Sequence, residues 1–227
     1  GTMLKDASQG TGAVRNPAMT YGALDMGGAS TQISFFEPHE DVMANLFKLQ
    51  VGGERHWNIY AHSFLYFGVV YAEARLGALI ASDYTGSSLN NIPHPCLPRG
   101  QTFNLETDVS IIQDGDLQYE IHLNETYSID FVGMSNYDKC SSLSRLLLRK
   151  EVNREWCNFS HRGDCSFSGV YQPPLPTQQT DKQFGEFLGF SNFYHVWNFL
   201  KLNEKSTLSQ LQSASQHICG LSYDELK

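Results

Sequence analysis

The most constraining part of this 227-residue chain is residues 21–35, which read YGALDMGGASTQISF. Apolar residues before Asp25 and after Gln32 predict two strands, and the glycine pair Gly27-Gly28 predicts the tight turn that joins them. Because glycine has no Cβ, the N–H groups of such a turn can approach an anion closely. The sequence therefore predicts a strand, an anion-sized turn and a second strand.

The polar side chains of this segment suggest what the turn does. Asp25 is predicted at the tip of the first strand, where a carboxylate can hold a hydrated divalent cation. Ser30 and Gln32 are two residues apart, so on a strand they face the same side and together could position a water molecule. The alternative is an ordinary β-hairpin with a hydrogen-bonded carboxylate, and a short D-x-G-G pattern by itself fits both.

The longer string DMGGASTQISF resembles the fourth signature region of the apyrases, the ecto-nucleoside triphosphate diphosphohydrolases. Four further segments resemble other motifs of that family and follow in the family's order: HPCLPRG (94–100), CSFSGVYQPP (165–174), FLGFSNFY (187–194) and HICG (217–220). The resemblance implies an α/β fold, namely an actin-like (ribonuclease H-like) lobe with a mixed β-sheet flanked by helices.

The resemblance also implies a reaction, the hydrolysis of nucleoside tri- and diphosphates by attack of water on the terminal phosphorus. It assigns Asp25 to a calcium or magnesium ion, bound through water. It assigns the attacking water to Ser30 and Gln32. The backbone N–H groups expected to cradle the terminal phosphate belong to Gly27, Gly28 and Ala29.

Three more residues are candidates for the nucleoside. The resemblance implies that an aromatic ring near residue 194 stacks on the base, which makes Tyr194 and His195 alternatives because adjacent helical residues point about 100° apart. The alternative for Tyr194 is a position in the hydrophobic core, since aromatic residues around it recur at steps of three and four. Arg99 is a candidate for the base or ribose, and a solvated loop arginine is its alternative.

The family resemblance implies two lobes with the nucleotide between them. We find no first-lobe phosphate loop of the DxGSxxT kind before Tyr21, and Gly1-Thr2 is typical of an expression scar. We therefore expect residues 1–20 to be tag or linker and residues 21–227 to be the C-terminal lobe. Its partners are then a nucleotide and the N-terminal lobe of the same enzyme.

Two other classes of function stay open. The lobe alone could be a nucleotide-binding module without turnover, which an assay for released phosphate would reveal. Alternatively, the chain could be a lobe of another actin-like phosphohydrolase or of a kinase. Those proteins share a glycine-rich hairpin, but they would not bring the HPCLPRG segment or the cysteines.

The composition of the chain restricts the kinds of partner that it can bind. The formal net charge of −8 argues against nucleic acid as a partner, and it also repels nucleotide phosphates at long range. A bound cation and aimed N–H groups must then provide the attraction. No run of about 18 apolar residues is present, so we expect no membrane span in this chain. With 41% hydrophobic residues, the chain is typical of a globular protein.

The five cysteines and two glycosylation sequons, at Asn124 and Asn158, indicate a secretory protein, at the cell surface, outside the cell, or in the Golgi or lysosomal lumen. Without C-x-x-C spacing, a zinc site is disfavoured. Cys157 and Cys165 flank a short polar loop and form a natural pair. Elimination and the family resemblance suggest Cys96 with Cys140, which leaves Cys219 without a partner in the chain. Five reduced thiols are the alternative.

Periodicity gives a coarse map of the elements. Strands are predicted at 21–25, 31–37, 46–51 and 55–61, with a hairpin turn at 52–54. A loop-rich region is predicted from 82 to about 119, followed by a strand pair or hairpin over 119–132. The predicted helices span 64–81, 135–148, 184–202 and 207–219.

Overall fold

The computed structural model describes residues 20–38, 45–51, 55–84, 88–107, 127–148, 164–175 and 186–227. Its strands are β1 (Gly22–Met26), β2 (Ser30–Phe36), β3 (Leu46–Val51), β4 (Arg55–Leu65), β5 (Ile92–His94), β6 (Thr102–Thr107), β7 (Tyr127–Gly133), β8 (Asp164–Cys165), β9 (Tyr171–Gln172) and β10 (Phe187–Ser191). Its α-helices are α1 (Val69–Ser82), α2 (Tyr137–Leu148), α3 (Asn192–Phe199), α4 (Leu208–Gly220) and α5 (Tyr223–Leu226). A short 3-10 helix covers Phe167–Gly169.

The main sheet has five strands in the order β10-β1-β2-β4-β3. The pairs β1–β2, β2–β4 and β4–β3 are antiparallel, whereas β10 lies parallel to β1. In β2 the odd-numbered residues 31–35 are buried and the even-numbered ones are half-buried, the period of two that one buried face requires. The expected mixed sheet with flanking helices is confirmed.

The core of the main sheet is largely aromatic. Its buried members are Ile33, Phe35, Tyr60, Phe64 and Phe67. The Tyr60 hydroxyl donates to the carbonyl of Tyr171 at 2.9 Å, which ties β4 to β9. A buried phenol keeps its proton when it has an acceptor, and burial raises the pKa of Tyr60 above its usual range.

A second sheet, β5-β7-β6, has its own apolar cluster, consisting of Ile80, Ile92, Leu105, Ile129 and Phe131. Helix α1 supplies Ile80 to this cluster. The predicted disulfide between Cys96 and Cys140 is confirmed, with a Cα–Cα distance of 4.9 Å. It joins the segment after β5 to α2.

The helix predicted over 64–81 begins later, because β4 continues to Leu65 and α1 starts only at Val69. Phe64 is paired with Thr31 in the sheet and is buried among the aromatic residues, so it is a core residue of strand β4 and not of the helix. Gly68, with extended backbone, is the N-cap of α1.

The helix predicted over 184–202 is wrong in its first part, where residues 187–191 form β10 and only 192–199 are helical. Phe187, Phe190 and Phe193 are spaced by three, which imitates a helical period. Because residues 187–191 pair with β1, they form a strand instead of a helix, and Ser191, at φ 54°, ends that strand. The loop-rich region predicted over 82–119 likewise contains β5 and β6.

The strands predicted at 21–25, 31–37 and 46–51 and the helices predicted at 135–148 and 207–219 agree within two residues, whereas the strand predicted at 55–61 extends to Leu65. Of the strand pair or hairpin predicted over 119–132, the described part is β7, which pairs with β5 and β6, and residues 119–126 lie outside the described residues. Helix α4 begins with a capping box between Thr207 and Gln210. Residues 1–19, the turn at 52–54, Asn124, Cys157 and Asn158 lie outside the described residues, so the predictions for them stay predictions. Over the described ranges, the helices are too short or too polar to cross a membrane.

Candidate functional site

The turn between β1 and β2 is closed by its own backbone. The Gly27 N–H donates to the carbonyl of Ser30 at 2.9 Å, and Asp25 and Gln32 face each other across the two strands. The sequence predicted the Gly27 N–H as one of three donors to a phosphate. In this structure that N–H is engaged in closing the turn, while Gly28 and Ala29 are exposed at its tip.

Three carbonyl groups of the turn accept hydrogen bonds from the start of α1 and the residues before it. The bonds run from Val69 N to Gly27 O at 3.0 Å, from Val70 N to Gly28 O at 3.0 Å, and from Tyr66 N to Ala29 O at 2.9 Å. In a planar trans peptide, a carbonyl and the following N–H point in opposite directions. The N–H groups of Gly28 and Ala29 therefore point away from α1, and both residues are exposed, so an anion can approach them.

Gly68 allows this close approach of α1 to the turn. A Cβ at this position would overlap the backbone of Gly28, Ala29 and Ser30. Any side chain here must therefore push the turn away from the helix. Sequence reasoning missed this residue, although a glycine between the apolar runs before and after it was a signal for a helix start or a close contact.

Asp25 has a buried carboxylate oxygen, Oδ1, for which the described residues provide no hydrogen-bond partner. Burying such an atom without a partner is costly. A cation, or a water molecule of its hydration shell, would supply the missing partner, so Asp25 fits the predicted role. The described part of the chain contains no cluster of three or more His, Cys, Asp or Glu residues that could hold a metal by itself.

Ser30 and Gln32 are joined, as predicted for residues that share one face. The Gln32 side-chain Nε2 donates to Ser30 Oγ at 2.5 Å. It also donates to Ser63 Oγ at 3.2 Å, because Ser63 lies directly opposite Gln32 on β4. Sequence reasoning missed Ser63, whose only signal was its place as a polar residue in the alternating strand.

Helix α3 begins beside the turn. Because β10 is parallel to β1, the carboxyl ends of both strands lie at the same edge of the sheet, the edge where α/β proteins commonly bind ligands. The Asn192 side chain donates to the carbonyl of Met26 at 2.7 Å and fixes the helix start there.

The two aromatic candidates lie on this helix start. Tyr194 is 60% exposed, so the core alternative is wrong for it, and its ring meets that of His195 edge-on at 5.6 Å. Of the aromatic residues in this region, Phe187 is the one that packs on the core, edge-on to Phe35 at 6.0 Å.

Arg99 lies in another part of the fold. Its N–H donates to Ser135 Oγ at 2.7 Å, and its carbonyl accepts from the Tyr223 N–H at 3.0 Å. Its backbone thus joins the loop after β5 to the C-terminal segment, and its side chain is exposed. The structure groups Asp25, the turn, Ser30, Gln32 and the start of α3, and it places Arg99 with the second sheet.

The fold defined by these elements is that of an actin-like lobe. It resembles the crystal structure of a nucleoside triphosphate hydrolase from Neospora caninum, with a TM-score of 0.53 and 16% sequence identity. The match covers 88% of this chain and 43% of that one. At this level of identity, the likeness establishes the fold.

Residues 5–227 match the GDA1/CD39 (nucleoside phosphatase) family, and the chain belongs to that family. It is 31% identical to ectonucleoside triphosphate diphosphohydrolase 8 of Mus musculus, over 96% of this chain and 41% of the relative. It is 35% identical to ectonucleoside triphosphate diphosphohydrolase 2 of Mus musculus, over 92% and 38%. It is 29% identical to probable apyrase 4 of Arabidopsis thaliana, over 93% and 38%. The chain thus spans about two fifths of the length of these relatives, and the predicted family resemblance is confirmed.

Proposed function

We propose that this chain is the C-terminal lobe, residues 21–227, of a divalent-cation-dependent hydrolase that removes terminal phosphates from nucleoside tri- and diphosphates. One observation carries the proposal: the exposed turn whose Gly28 and Ala29 N–H groups point away from α1 directly follows the strand that bears Asp25, whose buried Oδ1 has no hydrogen-bond partner among the described residues. Membership of a nucleoside phosphatase family supports the choice of substrate.

The turn acts on the terminal phosphate. The N–H groups of Gly28 and Ala29 donate to its oxygens, and the turn closed by Gly27 keeps both donors in place. Donors fixed before the reaction stabilise the charge that spreads over those oxygens in the transition state, without a cost of reorganisation. In a chain with a net charge of −8, such local donors must outweigh long-range repulsion.

Asp25 holds the cation, calcium or magnesium, through its hydration water. The family is dependent on a divalent cation. When bound, the ion neutralises phosphate charge and orients the phosphate oxygens. The contribution of this chain is the Oδ1 atom, which is buried and has no hydrogen-bond partner among the described residues.

Ser30 and Gln32 hold the attacking water. With both N–H groups of its amide donated to serine hydroxyls, Gln32 has Oε1 left to accept a proton of the water. The base that takes the other proton belongs to the N-terminal lobe of the same enzyme. In in-line attack on phosphorus, the protein contributes mainly by positioning the water and the phosphate, and no bond to the protein forms.

The nucleoside lies along the start of α3. Tyr194 offers an exposed ring for the base, and His195 is the alternative. Arg99, in the loop after β5, remains a candidate for the base or ribose.

The Cys96–Cys140 disulfide supports an oxidising compartment, either outside the cell and at its surface or in the Golgi or lysosomal lumen. The names of the Mus musculus relatives, which are ecto-enzymes, agree with this.

The test is release of inorganic phosphate from ATP, ADP and UDP with calcium or magnesium. The complete enzyme should release phosphate, and Asp25→Ala should abolish the release. This chain alone, folded, should release none, because the base is proposed to belong to the other lobe, and it should at most bind nucleotide as a module. Turnover by the chain alone would overturn the assignment of the base to another lobe. Transfer of phosphate to an acceptor other than water by the complete enzyme would make it a kinase.

A further inference from the structure

We propose that Ser63 is a positioning residue for hydrolysis, which acts by fixing the orientation of the Gln32 amide. The inference rests on the proposed function, and it assigns a role to a residue that no motif of the sequence singled out. Ser63 lies on β4, 31 positions after Gln32 in the sequence, and the sheet register places the two directly opposite.

The register aligns three polar residues across three strands. Asp25 of β1 faces Gln32 of β2, and Gln32 faces Ser63 of β4. Side chains of directly opposed residues project to the same side of a sheet. Since Ile33 and its odd-numbered neighbours in β2 face the apolar core, this polar row lies on the other face.

The Gln32 amide can adopt two orientations related by a flip. In one, Nε2 donates to both Ser30 Oγ and Ser63 Oγ, and Oε1 is left to accept from the attacking water. In the other, Oε1 accepts from the hydroxyls, and the water meets two N–H donors. A water that meets donors turns its lone pairs toward them and away from phosphorus, so only the first orientation prepares it for attack.

Ser30 alone holds the amide through one hydrogen bond, about which the side chain can still rotate. With Ser63, the amide nitrogen lies between two hydroxyl oxygens and both of its N–H groups have an acceptor. Each hydroxyl then keeps its own proton to donate elsewhere. The second serine thus holds the Gln32 amide at a second point and restricts its rotation out of the orientation that the structure shows.

The experiment is a double-mutant cycle in the complete enzyme, with Ser63→Ala, Gln32→Ala and the pair. Ser63→Ala should lower kcat about three- to tenfold and leave KM within a factor of two, as expected when a single hydrogen bond that matters in the transition state is lost. In the Gln32→Ala background, the same substitution should have no further effect. Ser63→Thr, which keeps the hydroxyl and suits a strand, should restore kcat.

A matched control is available in the second sheet. Ser128 of β7 is also an exposed strand serine, and it accepts an amide N–H from Asn104 at 3.0 Å. Ser128→Ala should leave kcat unchanged. The comparison separates the general effect of losing a serine–amide hydrogen bond on a strand from the effect of losing the bond between Ser63 and Gln32.

The outcomes distinguish the two proposals. If Gln32→Ala lowers kcat but Ser63→Ala does not, or if the two effects multiply independently, the role of Ser63 is overturned and the proposed function stands. If Gln32→Ala leaves kcat unchanged, the water-positioning role in the proposed function fails, and the role of Ser63 fails with it.

Discussion

Asn192 reaches from the first residue of α3 to the carbonyl of Met26, with a donor–acceptor distance of 2.7 Å. Met26 follows Asp25 directly, so this bond joins the start of the helix that bears Tyr194 to the end of the strand that bears the carboxylate. It fixes the distance between the proposed base platform and the proposed phosphate site.

Replacing Asn192 should therefore weaken nucleotide binding. Asn192→Ala removes one partly buried hydrogen bond, which is worth about 1 kcal/mol. We expect KM to rise about three- to tenfold and kcat to change little, because the turn and Gln32 are untouched. Steady-state kinetics with ATP and ADP measure this, and Asn198→Ala, an exposed asparagine on the same helix, is the control. An unchanged KM would mean that the orientation of α3 does not determine binding.

Gly68→Ala should displace the phosphate turn. The added Cβ would overlap the backbone of residues 28–30, so the turn must shift from its place on α1. A shift of about 1 Å in a positioning group can cost about 100-fold in rate, and we expect kcat/KM to fall by that order.

The matched control is Gly220→Ala at the end of α4, where an added Cβ meets no atom within 4 Å. Phosphate release by this variant should equal that of the unaltered enzyme. Full activity of the folded Gly68→Ala enzyme would show that the turn does not need its contact with α1.

Acid should destabilise the fold through His94. This side chain is buried, its Nδ1 accepts the Cys96 N–H at 3.2 Å, and burial lowers its pKa to about 4. The folded state favours the neutral ring, whereas in the unfolded chain the histidine titrates at pH 6.5. The contribution of neutral His94 to the free energy of unfolding is therefore complete above pH 6.5 and is lost as the pH falls from 6.5 to about 4. The loss should amount to about 2–3 kcal/mol.

Urea unfolding at pH 7.5, 5.5 and 4.5 measures this loss. His94→Asn, which can accept the same N–H but does not titrate, should lose less stability over that interval than the unaltered chain. His217→Asn, at an exposed position on α4, is the control and should behave like the unaltered chain. Equal pH dependence of His94→Asn and the unaltered chain would show that His94 is not the sensitive group.

The Cys96–Cys140 disulfide should contribute strongly to the stability of the second sheet. The bond joins residues 44 apart, and in the chain-entropy treatment a loop of that size corresponds to about 4 kcal/mol. We expect Cys140→Ser to lower the free energy of unfolding by about 2–4 kcal/mol. Cys219→Ser is the control, since this half-buried cysteine is free, and it should cost less. Equal losses from the two variants would contradict a structural role for the bond.

What could be predicted from the sequence was mostly local. The β1–β2 turn and the helix at 208–220 are each specified by neighbouring residues, namely a glycine pair between apolar runs and a Thr207–Gln210 capping box. The family resemblance added the Cys96–Cys140 pair and the actin-like fold. These parts need no knowledge of distant contacts.

What was missed depends on contacts between distant segments. Strand β10 looks helical in the sequence, because only its pairing with β1 distinguishes its aromatic spacing from a helical period. Gly68 and Ser63 have the same explanation, since each matters through residues more than 30 positions away. Arg99 shows the converse, because its motif did not reveal that its backbone is held by the C-terminal segment.

The most direct test of the central claim is a comparison of kcat and KM for Ser30→Ala and Gln32→Ala in the complete enzyme, with inorganic phosphate release as the readout. If these residues hold the attacking water, kcat should fall for both variants much more than KM rises. A rise in KM with kcat unchanged would contradict the account, because it would place Ser30 and Gln32 in substrate binding rather than in the attack of water.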